Sequence, residues 1–329
     1  MADKYATRVA YGDALAEYGD QENIIVLDAD LACCTMSANF RDKYPERFFN
    51  IGIAEANMMT IAAGFATTGK NVFASSFAMF AAGRAWEQVR NSIAYPHLNV
   101  KVVGTHSGVS VGEDGATHQA IEDIAIMRCI PGMIVVSPSD AIETKAAVKA
   151  LMDYEGPAYL RVGRIPADVI NDHPDYKFEL FKGYQMRDGN DVTIVATGLM
   201  VQEALKAHEM LKARGITARV IDIHTIKPLD EEILLKAARE TNLLVTVEEH
   251  SIYGGLGGAI AELLSKKLPT RIVTIGMDNE FGKSGKPDEL FKKFGLNADN
   301  IVAKTMEAVE KVNMFIPKEN DYMSSMPLH

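Results

Sequence analysis

Short, continuous apolar runs alternate with amphipathic stretches along most of the chain. In the first half Ile24 to Leu27, Val72 to Ala74, Val100 to Val103, Met133 to Val136 and Ala158 to Leu160 read as strands buried on both faces, the pattern of a parallel sheet. Helices are expected between them. After Pro138, Asp140 is placed to cap one, with Glu143 reaching back to it and Ala141, Ala146, Ala147 and Leu151 as its packing face down to Tyr154. Periodicity fades from Pro166 to Asp191, where Asn171-Asp172-His173-Pro174-Asp175 and Asp188-Gly189-Asn190-Asp191 gather turn formers. The alternation then resumes, with strands expected over Val192 to Ala196, Ala218 to Ile223, Leu243 to Glu248 and Arg271 to Ile275. The intervening helices are expected over Met200 to Arg214, Asp230 to Thr241 and Gly255 to Leu264. In the first of these Val201, Ala204, Leu205, His208 and Leu211 recur at helical spacing, and Gly215 marks the stop. The predicted architecture is α/β, with two successive domains and mostly parallel sheets. Residues 1–168 form the first domain, 169–190 a linker, 191–316 the second domain and 317–329 a polar tail.

Composition narrows the class. The 329 residues exceed the usual size of a single core. With 47% hydrophobic and 24% charged residues, global disorder is excluded. A net charge of -10 opposes nucleic acid as the main partner, since a phosphate backbone is repelled at long range. A local basic pocket for small phosphates is compatible with it. Cys33, Cys34 and Cys129 show neither a disulfide framework nor a tetrahedral metal spacing, which fits a reducing, cytoplasmic setting. The N-terminus has no apolar signal core, and no apolar run reaches the roughly 20 residues of a membrane span.

Three segments carry candidate chemistry. Asn50-Ile51-Gly52-Ile53-Ala54-Glu55-Ala56-Asn57-Met58-Met59 puts a carboxylate at the start of an apolar helix, which by itself is also what the helix dipole favours. Phe77 and Phe80 follow the strand at Phe73-Ala74, three residues apart and so on one helical face if the helix has begun there. Thr105-His106-Ser107-Gly108 to Gly112-Glu113-Asp114-Gly115-Ala116-Thr117-His118-Gln119 gathers two histidines and two carboxylates in a Gly-rich loop leaving a strand, where α/β proteins bind ligands.

Gly52-Ile53-Ala54-Glu55, Ser76-Phe77 and the Thr105-His106 to His118-Gln119 series resemble the pyrimidine-binding domain of the transketolases. Ile226-Lys227-Pro228-Leu229-Asp230 and Glu248-Glu249-His250 with Gly254-Gly255-Leu256-Gly257-Gly258 resemble the C-terminal domain that transketolases share with deoxyxylulose phosphate synthase and the β subunits of 2-oxo acid dehydrogenases. The resemblance spans nearly the whole chain and implies thiamine diphosphate as cofactor. Its thiazolium carbon must lose a proton to the cofactor's own amino group. The resemblance makes Glu55 the buried carboxylate that hydrogen-bonds a pyrimidine nitrogen to make this possible. It gives Phe77 and Phe80 to the aminopyrimidine pocket and Asp30 to the neighbourhood of the thiazolium. It assigns His106, Arg8 and Arg164 to a substrate phosphate, Asp114 to a substrate hydroxyl, and His118 to a place beside the donor's terminal hydroxyl. Each has a plainer reading: Arg8 as a solvated helix residue, Arg164 as a partner for Asp168, His118 as a satisfied loop histidine.

Some positions depart from the family pattern. A third pocket aromatic, a tyrosine, falls on Gly83 and leaves that wall to Trp86 or Arg84. Ala32-Cys33-Cys34 stands where the family has Thr-Pro-Ser, so a serine phosphate ligand is missing. The Gly-Asp-Gly motif that holds magnesium and the diphosphate in full-length transketolases does not occur. The implied unit is therefore the C-terminal subunit of a two-chain transketolase, inactive alone. An N-terminal subunit supplies the Mg2+ ligands, and two copies of each chain form a heterotetramer of twofold symmetry acting on sugar phosphates. Other readings of the same residues are a 2-oxo acid dehydrogenase β subunit, a deoxyxylulose-type ketolase and a non-catalytic regulatory subunit.

Overall fold

All nine strands expected from the apolar runs are present in the computed structural model, which describes residues 4–315. Seven strands form the first sheet, in the order Thr225–Lys227, Ile134–Val136, Ala158–Arg161, Val100–Thr105, Asn71–Phe77, Ile24–Asp28 and Phe48–Asn50. Neighbours run parallel except at the first edge, where Thr225–Lys227 is antiparallel to Ile134–Val136. The central strands are buried along their whole length because helices cover both faces. Helices Thr7–Tyr18 and Ala141–Asp153 pack on one face through Tyr11, Leu15, Val148 and Leu151. Helix Glu55–Thr67 and the helical run over residues 79–94 pack on the other through Met58, Ala62, Ala82 and Ile93.

The second sheet has five strands, ordered Arg271–Met277, Leu243–Ser251, Val192–Ala196, Ala218–Asp222 and Tyr184–Arg187, of which only the last is antiparallel to its neighbour. The two units share apolar packing: Leu234, Leu256 and Ile260 of the second belong to the same core as Met127 and Ile130 of the first.

Four expectations need correction. The stretch expected to be linker contains the strand Tyr184–Arg187, too short and only half-buried to show a period between its flanking turns. Pro166–Asp168 just before it is also a strand, antiparallel to Lys4–Ala6. Asp140 does accept the Glu143 amide, at 2.8 Å. The Glu143 carboxylate, however, reaches Ser139, whose amide (2.6 Å) and hydroxyl (2.8 Å) both donate to it. Phe77 closes a strand rather than sharing a helical face with Phe80. Lastly, Thr225–Lys227 leaves the second unit to extend the first sheet. Helices Pro287–Phe294 and Ala298–Phe315 complete the second unit, and the expected tail lies outside the described residues. Among the described residues no helix is long and apolar enough to cross a membrane.

Candidate functional site

The five parallel strands that precede the candidate residues are neighbours in one sheet, so their carboxyl ends line a single edge. From these ends the chain delivers Asp30, Glu55, Phe77, His106 and Arg164 in turn. This is the crevice where open α/β sheets bind ligands.

Glu55 begins its helix and is 2% exposed. Gly52 enters that turn at φ +81°, a conformation glycine adopts without strain. Asn50 sets the approach: its Oδ1 accepts the amides of Asp30 and Gly52, each at 3.0 Å, and its Nδ2 donates to Asp30 Oδ1 at 2.8 Å. The partner of the Glu55 carboxylate is Arg84, whose Nη1 lies 3.0 Å away and whose side chain is 53% exposed. The same guanidinium sits over the Phe80 ring, 4.6 Å from its centroid. Arg84 ends a π-helical turn over Met79–Arg84, a local widening often found at functional sites. Trp86 points elsewhere and donates its indole N–H to the Ile126 carbonyl at 2.9 Å. The wall left by Gly83 is thus flanked by Arg84, with a cavity of about 110 Å³ beside Gly83 bordered by Ala120, Glu122 and Asp123.

The rings form one cluster. Phe77 stacks on His106 at 4.0 Å between centroids and lies 6.2 Å from Phe80, and His118 meets the Phe80 ring edge-on at 5.3 Å. Thr105 Oγ1 holds His106 Nδ1 at 3.0 Å, and Thr117 Oγ1 holds His118 Nδ1 at 2.9 Å. Next to His106 stand two cations. Arg8 is half-buried, with Nε donating to the Arg164 carbonyl at 3.3 Å and Nη1 to the Cys34 carbonyl at 2.7 Å. Arg164 pairs with Asp114 at 3.2 Å and donates to the Val111 carbonyl. It does not pair with Asp168, which is taken by Lys4 at 3.5 Å. Burial, reinforced by the charges of Arg8 and Arg164, pushes His106 down to about 3. His106 is therefore a neutral hydrogen-bonding ring at physiological pH, and positive charge at this end belongs to the arginines.

A measurable consequence follows for the free protein. The His106 imidazole resonances should stay flat between pH 8 and 5 in an NMR titration and move only near its lowered pKa. Because the folded value lies below the unfolded one, this histidine should subtract stability as pH falls through the ordinary histidine range. A midpoint near 6.5 would remove the proposed electrostatic arrangement.

Asp30, leaving the strand that lies between those leading to Phe77 and Glu55, borders with Cys33, Cys34 and Arg41 a hollow of about 160 Å³. A larger cavity of about 390 Å³, bordered by Arg128, Lys227 and Glu262, lies between the two units away from these rings. Two of its cations are paired, Arg128 to Glu262 at 2.7 Å and Lys267 to Glu231, and Lys227 donates to the Arg128 carbonyl at 2.8 Å. Among the described residues no group of three or more His, Cys, Asp or Glu side chains is placed to hold a metal ion.

The histidine loop is braced by residues that carry no motif of their own. Gln119 Nε2 donates to the carbonyls of Val109 (3.1 Å), Gly112 (3.3 Å) and Lys283 (2.9 Å). Arg161 and Asp123, both buried, form an ion pair at 2.7 Å below the loop. Only the apolar strand before Arg161 hinted at burial of that cation.

Known proteins resemble this chain over nearly its whole length. The family model for the transketolase pyrimidine binding domain matches residues 3–167, and that for the transketolase C-terminal domain matches residues 182–301. A transketolase C-terminal section from Methanocaldococcus jannaschii is 52% identical over 92% of this chain and 96% of its own length. The 6-deoxy-6-sulfo-D-fructose transketolase subunit of a Clostridium species is 43% identical over 94% of this chain and 97% of its own. An apulose-4-phosphate transketolase subunit of Phocaeicola vulgatus is 41% identical over 93% of this chain and 98% of its own. Among solved structures, a split-gene transketolase described as an inactive β4 tetramer superposes with a TM-score of 0.85 at 49% identity, covering 94% of this chain and 99% of that one.

Proposed function

The chain belongs to the transketolase family, whose members depend on thiamine diphosphate, and from that premise we propose that it is the C-terminal subunit of a two-chain transketolase. In this reading it transfers a two-carbon ketol unit from a ketose phosphate to an aldose phosphate, and only when joined to an N-terminal subunit. The observation that carries the proposal is the continuous row from Glu55 through Phe80, Phe77 and His118 to His106 and the Arg8–Arg164 pair.

The residues fit half of the cofactor. A carboxylate 2% exposed would be costly without a partner, and its present partner is a half-exposed arginine that an incoming ring can displace. Phe80 offers a ring face within reach of the same carboxylate. When bound, thiamine diphosphate supplies a carbon acid and an electron sink for the two-carbon unit. Glu55 holds a hydrogen bond to a pyrimidine nitrogen, and Phe77 and Phe80 stack and keep water away. Asp30 faces the thiazolium side. Arg8 and Arg164 bind the anionic end of the sugar, neutral His106 adds a hydrogen bond, and Asp114 and His118 take hydroxyls. The Mg2+ and diphosphate ligands are assigned to the N-terminal subunit, in a heterotetramer. Support for a needed partner comes from the relative described as a C-terminal section and from the β-only tetramer described as inactive.

Relatives named for a sulfo-sugar and for a sugar phosphate support a reading in which the anionic terminus varies among similar proteins. A paired-arginine site suits a sulfonate as well as a phosphate. The test is to purify this chain alone and mixed with a candidate N-terminal subunit, thiamine diphosphate and Mg2+, and to assay ketol transfer. Activity confined to the mixture is the expected result; activity of the chain alone, or none in a formed complex, overturns the proposal.

A further inference from the structure

The second unit packs against the loop that carries His106, Asp114 and His118 through helix Pro287–Phe294 and the Lys283 carbonyl, and it sends one buried carboxylate into that loop. Strand Leu243–Ser251 pairs with Val192–Ala196 only as far as Val247, and its pairing with Arg271–Met277 shifts between Val247 and Ser251. Glu248-Glu249-His250 therefore project past the sheet toward the first unit. Glu248 turns back to its own unit and accepts the amides of Leu256 (2.7 Å) and Gly257 (2.9 Å). Glu249, on the opposite side of the strand, is 4% exposed and its Oε1 accepts the Ser110 amide at 2.6 Å.

We propose that Glu249 is a positioning residue: from the second unit it pins the substrate loop of the first, and so sets where His106, Asp114 and His118 stand. The loop is built around this contact. Gly108 has φ +73°, and a Cβ there would lie 2.3 Å from Glu249 Oε1, so only glycine admits the carboxylate. The loop's far end is tied to the same strand, since Arg161 Nη2 donates to the Glu249 carbonyl at 2.9 Å and to the Ala120 carbonyl at 3.3 Å. Ser251 N closes the arc on the Ile121 carbonyl at 2.7 Å. The charged groups around the carboxylate are Arg161 and Asp123; burial pushes Glu249 up to about 7, and Arg161 only partly offsets it.

The assignment of loop residues to substrate rests on the function proposed above, so the first measurement avoids activity. In this chain alone, Glu249→Ala should speed backbone hydrogen exchange of residues 107–120 by about tenfold, the size expected for one lost buried hydrogen bond. Strands Ile24–Asp28 and Asn71–Phe77 should exchange as before. Glu249→Gln keeps an acceptor for the Ser110 amide and should restore most of the protection. In the reconstituted enzyme, Glu249→Ala should raise KM for the sugar phosphates by about tenfold with a much smaller change in kcat, and Glu249→Gln should recover it. Unchanged exchange in residues 107–120, or equal damage by both variants spread over the whole chain, overturns the inference. If the loop loosens as expected while every mixture is inactive, Glu249 still positions the loop and the ketol-transfer reading fails instead.

Discussion

Glu55→Ala is expected to lower ketol transfer by the reconstituted enzyme by roughly 10²- to 10³-fold, within the range ascribed to a positioned proton-handling group in a dry site. The carboxylate is buried at the first turn of its helix, and its present partner reaches in from solvent. Removing it takes away the group proposed to hold the pyrimidine but leaves no buried donor stranded, because Arg84 can turn outward. Thermal stability should therefore change little, since the pair is open to solvent on its arginine side and such pairs contribute little. The informative result is this divergence between activity and melting temperature. Activity within threefold of the parent would remove Glu55 from the mechanism, and Glu55→Gln would separate charge from hydrogen bonding.

The largest effect on stability is expected at Asp123. It is buried, pairs with Arg161 Nε at 2.7 Å and Nη2 at 3.2 Å, and accepts the Tyr159 hydroxyl at 2.7 Å. Asp123→Ala strands a guanidinium and a phenol in the interior at once. Breaking a buried pair from one side costs about 3–5 kcal/mol. At about 1.5 °C per kcal/mol for a cooperative unit of this size, the melting temperature should fall by roughly 4–8 °C. The pH dependence has a definite sign. Burial alone would raise the Asp123 carboxyl, but Arg161 more than reverses this and holds it below the usual carboxylate range. Its contribution is thus complete above the unfolded value and disappears as pH falls through the folded one. Denaturation of parent and variant across the acid range should show the gap closing toward low pH. A loss under about 1 kcal/mol at neutral pH would mean that water reaches Arg161 and the pair is not the anchor described.

The elements legible in the sequence are those whose environment is uniform. Ile24–Asp28 and Val100–Thr105 are covered on both faces and therefore appear as unbroken apolar runs. Tyr184–Arg187 and Pro166–Asp168 are short edge strands between turn formers, where neither period nor propensity accumulates. Helix Pro287–Phe294 has its boundary signals in place, a proline in its first turn and Gly295 in the left-handed region after it, but two turns are too short for an apolar period to stand out between them.

For the site, residue types were legible and partners were not. Glu55, Phe77, Phe80, His106 and His118 stand in motif order, but strand order brings them to one edge, and no local pattern encodes that order. Arg164 illustrates the limit. Asp168 is four residues away, whereas its partner Asp114 comes from a loop two strand-ends earlier in the chain and adjacent only in the fold. Glu249 meets Ser110 across 139 positions. Such contacts depend on how two sheets dock, which periodicity does not report.

The crossing strand Thr225–Lys227 bears on how the protein is made. A ribosome releases the first six strands of the large sheet well before residue 225 emerges, and until then Ile134–Val136 is an unprotected edge able to pair with another chain. Completion of the N-terminal half therefore waits on synthesis through the helix Met200–Lys212 and the strand after it. A nascent chain halted between residues 170 and 220 should be the aggregation-prone species, and the two halves should assemble as one cooperative unit instead of in succession.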